Sequence, residues 1–311
     1  FYPQTVAIVG ASGSDFGALP SGGFIRNFQK LGFEGRIYPV NPRLKEMLGL
    51  SAYPNLISIP ESLDLVIICT PAREVPAVLE DCIAANAKNI HIFSAGFGES
   101  GEKEGAALEE KIREIALQGE LRVVGPNCMG INVPRAMMQT IHEFPIHRGN
   151  VAFLSQSGGH AIQFTGYAAG FGIGFSKIIS YGNGCIMDSP EFLEYLATDP
   201  ETSIITMYLE GVQDGRKLIK KVSEINPTKP VIVWKGGKSE WGSRAASSHT
   251  GSLAGNRAVW DSFFKQTGAV SVNSLDELAD VTMTFLYLTP PPGKADWTCT
   301  WWRRAWCICS R

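Results

Sequence analysis

The sequence has almost no net charge, no long apolar run, and no cysteine–histidine spacing of the kind that holds a metal. With 28 basic and 30 acidic residues in 311, it has no broad field to draw nucleic acid or an anionic membrane surface, so an anionic ligand must be held by local groups. No apolar stretch approaches the roughly 18 residues that a membrane span requires. The first residues run into a strand pattern rather than a signal-peptide layout. The expectation is a soluble, cytoplasmic protein with neither nucleic acid nor a membrane as partner. The seven cysteines are an odd number, and Cys69 and Cys82 lie in apolar surroundings, which reads as reduced thiols rather than a disulfide framework. The five histidines do not make zinc spacing: His91 lies in a strand pattern, His142 and His147 near a linker, and His160 in the first turn of a helix, so no metal is expected. Repeats of solenoid period and low-complexity segments are absent too.

What is present is an alternation of short β-branched runs with segments of helical period. Strands are expected at Thr5 to Val9, Arg36 to Val40, Leu65 to Ile68, Ile90 to Phe93 and the short run Leu121 to Val124, as in a parallel sheet. Crossover helices are expected from Gly22 to Leu31, Arg73 to Ala85 and Glu102 to Leu117, where apolar residues recur three and four apart. The pattern relaxes from Glu143 to Asn150 around Pro145 and Gly149, a linker signal, and then restarts. Strands follow at Val151 to Leu154, Ser176 to Ile179, Ile204 to Leu209 and Val231 to Trp234. Helices follow near Gly159 to Ala169, Ser189 to Ala197, Gly215 to Ile225, Arg257 to Gln266 and Leu275 to Leu286. The reading is two tandem doubly wound α/β domains, residues 1–147 and 148–293, with an aberrant tail over 294–311.

The first strand runs into Gly10-Ala11-Ser12-Gly13-Ser14 and a helix follows. Glycines there allow a tight turn and let phosphate oxygens approach amides at a helix N-terminus, the outline of a pyrophosphate site. The spacing is not G-x-G-x-x-G, and the second strand ends in Asn41-Pro42 where a nicotinamide site would offer an acid to the ribose, so NAD is demoted. Small residues also follow the later strands, at Thr70-Pro71-Ala72, Ser94-Ala95-Gly96 and Gly125-Pro126-Asn127-Cys128-Met129-Gly130, where open α/β sheets bind ligands. A tight turn with no ligand remains the alternative for the first loop.

Three features meet at the strand ends of the second domain: Ser155-Gln156-Ser157-Gly158-Gly159 opening a helix, Glu210 closing a strand, and His249 within a Gly/Ser/Ala loop from Ser247 to Gly255. A neutral imidazole is a competent nucleophile toward phosphorus, and a carboxylate on its other ring N–H fixes the tautomer and stabilises the developing charge. Helix N-termini facing the same point would hold a phosphoryl group. The competing reading is a solvated loop histidine.

These motifs, in this order, resemble the NDP-forming acyl-CoA synthetases: close to the ADP-forming acetyl-CoA synthetase α part and more distantly the succinyl-CoA synthetase α subunit, over about residues 3 to 293. The resemblance implies a Rossmann-like CoA-binding domain and a flavodoxin-like ligase domain. It implies that Gly10, Ser12, Gly13 and Ser14 contact CoA phosphates, with Asn41, Pro71, Ser94, Ala95 and Gly96 lining the site and Asn127 and Cys128 near the thiol. It further implies that Ser155, Ser157, Gly158 and Gly159 cradle phosphate, that His249 carries the phosphoryl group and that Glu210 supports it. Either Arg43 or Lys45 would take the place of a basic residue near the CoA nucleotide. Mg2+ and ADP/ATP would be held on an ATP-grasp β subunit or module, which this chain does not supply. The alternative from another class is a non-catalytic CoA-binding regulatory module of an acetyltransferase-like fusion, against which His249 counts. The tail departs from the family: four of the seven tryptophans and three of the seven cysteines lie between Trp297 and Cys309. Shifted by one base, Trp301-Trp302-Arg303 restores a glycine run, so a frame-shifted tail replacing a third domain is expected.

Overall fold

The structure, a computed structural model, describes residues 1–10, 22–141, 143–237 and 257–288. The first part of the chain forms β1 (Thr5–Val9), α1 (Gly22–Leu31), β2 (Arg36–Val40), the small antiparallel pair β3 (Glu46–Met47) and β4 (Leu50–Ser51), β5 (Leu65–Ile68), α2 (Val75–Ala84), β6 (Asn89–Ile92), α3 (Lys103–Gln118) and β7 (Arg122–Val124). The major strands make a five-stranded sheet in the order β2-β1-β5-β6-β7, parallel throughout. β1 and β5 are buried at every residue, because helices cover both faces of a parallel sheet. The strand order reverses between β1 and β5, which puts a ligand crevice beyond Val9 and Ile68.

The second part contains β8 (Gly130–Val133), β9 (Met138–Gln139), β10 (Arg148–Ser155), α4 (Gly158–Gly170), β11 (Phe175–Ser180), α5 (Ser189–Thr198), β12 (Ile204–Leu209), α6 (Gly215–Ile225), β13 (Val231–Lys235), α7 (Arg257–Thr267), β14 (Val270–Val272) and α8 (Leu275–Tyr287). Its sheet runs β14-β13-β12-β10-β11-β8-β9, parallel from β14 to β11 with β8 and β9 added antiparallel at the edge. The order reverses between β10 and β12, so the residues after Ser155 and after Leu209 flank the second crevice. Local sequence fixes the helices. Asp188 closes a capping box with Glu191 at the start of α5, and Asp214 accepts the Lys217 N–H at 2.9 Å at the start of α6, each satisfying an amide that the first turn leaves unpaired. α6 then buries Leu218, Val222 and Ile225, one residue per turn.

Two features depart from the sequence pattern. β10 begins at Arg148, inside the stretch that reads as a linker. A Cβ on Gly149 would come within 2.3 Å of Gly174, so the glycines that weaken the strand pattern are what allow two backbones to pass this closely. β8 and β9, which have no clear sequence signal, join the second sheet in turn, β8 pairing with β11 and β9 with β8. One apolar core therefore runs from Ile8, Phe24 and Phe28 on the first sheet's α1 side through Ile131 and Val133 to Phe153 and Phe175, and Asn27 of α1 donates to the Thr140 carbonyl at 3.3 Å. A second core lies on the other face of the first sheet around Val66, Leu79 and Ile112. No helix among the described residues is long and apolar enough to cross a membrane.

Candidate functional site

In the first crevice Gly10 has φ +82°, and a Cβ there would meet Thr70 Cγ2 at 2.9 Å, so only glycine lets β1 turn this close to the end of β5. The Thr70 hydroxyl is buried there without a hydrogen-bond partner, and Ser94 Oγ donates to the Thr70 carbonyl. Asn41 turns its side chain to its own loop, accepting the Arg43 N–H at 2.8 Å. Pro71 and Gly96 line a cleft of about 310 Å³ with Arg73 and Leu108. Gly96, at φ +104°, gives its N–H to Glu99 Oε1 at 2.6 Å, and Phe97 gives its N–H to the same oxygen at 3.2 Å. Ala95 is exposed beside it. The structure thus brings Gly10, Asn41, Pro71, Ser94, Ala95 and Gly96 to the carboxyl ends of one sheet. Ser12, Gly13 and Ser14 lie outside the described residues. An unpartnered hydroxyl and a left-handed glycine at a switch point suit a ligand with phosphate and amide oxygens such as CoA.

The Gly125–Gly130 loop connects the two crevices. Asn127, itself at φ +55°, gives its N–H to the Ser94 carbonyl at 2.9 Å. Met129 gives its N–H to Ser180 Oγ at 3.2 Å, and its side chain fills the space over Gly158, where a Cβ would meet Met129 Cγ at 2.6 Å. Cys128 is buried with Sγ 3.5 Å from the Ile92 carbonyl. Burial raises its pKa, so the thiol stays protonated.

In the second crevice Ser155 Oγ donates to the Ser157 carbonyl at 2.7 Å. Ser157 caps α4 by accepting the His160 N–H at 3.3 Å, and the Gly158 and Gly159 amides of the first turn have no partner within the helix. Ser155 pairs in register with Tyr208 of β12, so Glu210 emerges beside this turn. Gln156 locks the two together, its Oε1 accepting both the Glu210 N–H and, at 2.9 Å, the Gly211 N–H. Tyr208 donates to Glu210 Oε1 at 3.2 Å. Burial, the nearby Glu210 charge and that hydrogen bond together hold the phenol well above its usual pKa, so it remains a donor. Glu210 is 8 % exposed. Two residues here take roles that the sequence pattern does not signal: His160, whose Nδ1 is 3.0 Å from Ser157 Oγ and whose ring stacks on Tyr208 at 4.1 Å, and Gln156, which stands inside the Ser155–Gly159 motif and holds the Glu210 backbone. His249 lies outside the described residues, as does the tail from 289 onward.

Two protein families match this chain. The CoA binding domain matches residues 4–134, and the succinyl-CoA ligase like flavodoxin domain matches residues 148–285. The chain is 42 % identical over 287 residues to acetate–CoA ligase [ADP-forming] I of Archaeoglobus fulgidus, covering 92 % of this chain and 41 % of that protein. It is 39 % identical to the α subunit of acetate–CoA ligase [ADP-forming] II of Pyrococcus furiosus, covering 94 % and 64 %. Among solved structures it superposes on the dinucleotide-forming acetyl-coenzyme A synthetase 1 of Ca. Korarchaeum cryptofilum in complex with phosphate and ADP, with TM-score 0.87 and 38 % identity, covering 94 % of this chain and 63 % of that one. The chain spans less than two thirds of each of these relatives.

Proposed function

By both of its domains the chain belongs to the ADP-forming acyl-CoA synthetase α-subunit-like proteins, and we propose that it carries the acyl-CoA and phosphohistidine chemistry of such an enzyme. Residues 1–147 would bind CoA and residues 148–293 would handle phosphate. The observation that carries this reading is the Gln156 bridge, which fixes the Glu210 backbone against the Ser155–Gly159 turn at a switch point. A carboxylate and an anion-binding helix start held together are what a phosphoryl-accepting imidazole needs.

An oxygen of hydrogen phosphate attacks the thioester carbonyl carbon; the C–O bond forms, the C–S bond breaks, and the departing sulfur takes the proton of the phosphate, so that CoA leaves as the thiol. A ring nitrogen of His249 then attacks phosphorus. The N–P bond forms, the P–O bond breaks, and the acid leaves as its carboxylate. Glu210, accepting the other ring N–H, stabilises the imidazolium character. An ATP-grasp partner, holding Mg2+ and ADP, would take the phosphoryl group to give ATP. The His249 loop is rich in small residues, which suits a carrier that visits two sites.

Incubation with acetyl-CoA and radiolabelled phosphate should give an acid-labile, base-stable label that disappears in His249→Ala. Undiminished labelling of the variant would place the carrier elsewhere. No label on a wild-type chain that still binds CoA would favour the regulatory-module reading. Calorimetry on the intact chain should show CoA binding with NAD silent, because the first crevice has no acid after β2 where Asn41 stands. Equal affinities would overturn the assignment of that crevice to CoA.

A further inference from the structure

Asn183, on the loop between β11 and α5, is not itself among the residues assigned to substrate, yet both ends of its side-chain amide are committed to the first domain. Its Nδ2 donates to Glu99 Oε2 and to Glu109 Oε2, each at 2.6 Å. Its Oδ1 accepts from Asn127 Nδ2 at 3.3 Å, and its backbone N–H bonds the Pro126 carbonyl at 3.1 Å. The two carboxylates are themselves braces of the CoA-side loop: Glu99 Oε1 takes the Gly96 and Phe97 amides, and Glu109 Oε2 takes the Gly98 amide at 3.1 Å. The preceding Gly182 has φ +58°, and a Cβ there would meet the Pro126 and Asn127 carbonyl oxygens at 2.2 and 2.3 Å. The loop is built to bring Asn183 in this close.

We propose that Asn183 is a positioning residue that clamps the Ser94–Gly98 loop and Asn127 to the second domain, setting the distance from the CoA thioester to the Ser155–Gly159 phosphate turn. The inference rests on the functional reading above. Two carboxylates bonded to one amide nitrogen cannot be more than about 5 Å apart, and at that range like charges repel appreciably. A residue with two N–H donors and no charge offsets this, and asparagine is the shortest side chain that also leaves an acceptor for Asn127. Because acyl transfer to phosphate needs both groups in line, a misplacement of about 1 Å is enough to cost on the order of 100-fold in rate.

The test uses Asn183→Ala, Asn183→Asp and the pair Asn183→Asp/Glu109→Gln, each assayed for CoA affinity and for acetyl-CoA-dependent phosphate labelling. Asn183→Ala should lower the labelling rate at saturating substrates at least tenfold while CoA affinity stays within about threefold. Asn183→Asp should be worse, since a third carboxylate joins the pair. The double variant should recover most of the loss, because the new amide at position 109 donates to the introduced carboxylate. Normal labelling in Asn183→Ala, or no recovery in the double variant, would overturn the clamp. Absence of label in the wild type would instead count against the functional reading.

Discussion

Glu210→Gln should slow labelling of His249 by 100-fold or more while leaving the fold and CoA binding intact. The substitution keeps shape and keeps an acceptor oxygen for the Tyr208 hydroxyl, now at 3.2 Å from Oε1. The tether through Gln156 is also spared, since it runs to the Glu210 and Gly211 amides and not to the carboxylate. What is lost is the negative charge. In the proposed reaction His249 becomes cationic in character as the N–P bond forms, and a buried carboxylate stabilises that charge far better than a neutral amide does in so dry a position. Loss of an orienting or general-base group is usually felt at 10² to 10⁴ in rate. Stopped-time labelling from acetyl-CoA and phosphate measures it directly. A rate within threefold of wild type would remove Glu210 from the mechanism, and a matching loss of CoA affinity would show that the change acts on the fold.

The sequence pattern was sufficient where one face of an element decides its fate. β12 runs over Ile204–Leu209 and α6 over Gly215–Ile225, as the apolar run and the Leu218, Val222, Ile225 spacing indicate, because strands buried on both faces and helices buried on one leave no other pattern. It was insufficient where long-range pairing decides. β8 is four residues long and is a strand because β11 offers it a partner. Gly149 reads as a linker residue until Gly174 is seen against it. The same division holds for the site. Gly10, Gly96 and the Ser155–Gly159 turn are legible because backbone geometry demands those residue types locally. Asn183, Gln156 and the stacking of His160 on Tyr208 are not, since each acts through a side chain that meets its partners only after folding.

His91 should make the seam between the two sheets sensitive to acid. It is fully buried in β6, its Nε2 3.5 Å from the Cys128 carbonyl and its ring edge-on to Phe24 at 6.1 Å. Its ring lies directly under Gly130, where a Cβ would come within 2.2 Å of it. Burial lowers its pKa from 6.5 to about 4, with the Cys128 carbonyl opposing only in part. Above pH 6.5 neither the folded nor the unfolded chain is protonated at this position, and stability is unaffected. Between 6.5 and 4 the unfolded chain binds a proton that the folded chain does not, so stability falls as the pH falls. At about 1.4 kcal/mol per pH unit, the loss reaches roughly 3 kcal/mol by pH 4. His91→Gln keeps a donor for the Cys128 carbonyl but cannot titrate. Urea unfolding at several pH values should show the wild type ahead at pH 7 and the gap closing, then reversing, toward pH 4.5. Parallel pH profiles would show that His91 does not carry the effect. Because Cys128 and Gly130 flank Met129, which packs over Gly158, the loop that links the two crevices should loosen in the same pH range. Labelling at pH 5 should therefore be better preserved in His91→Gln than in wild type, each relative to its own value at pH 7.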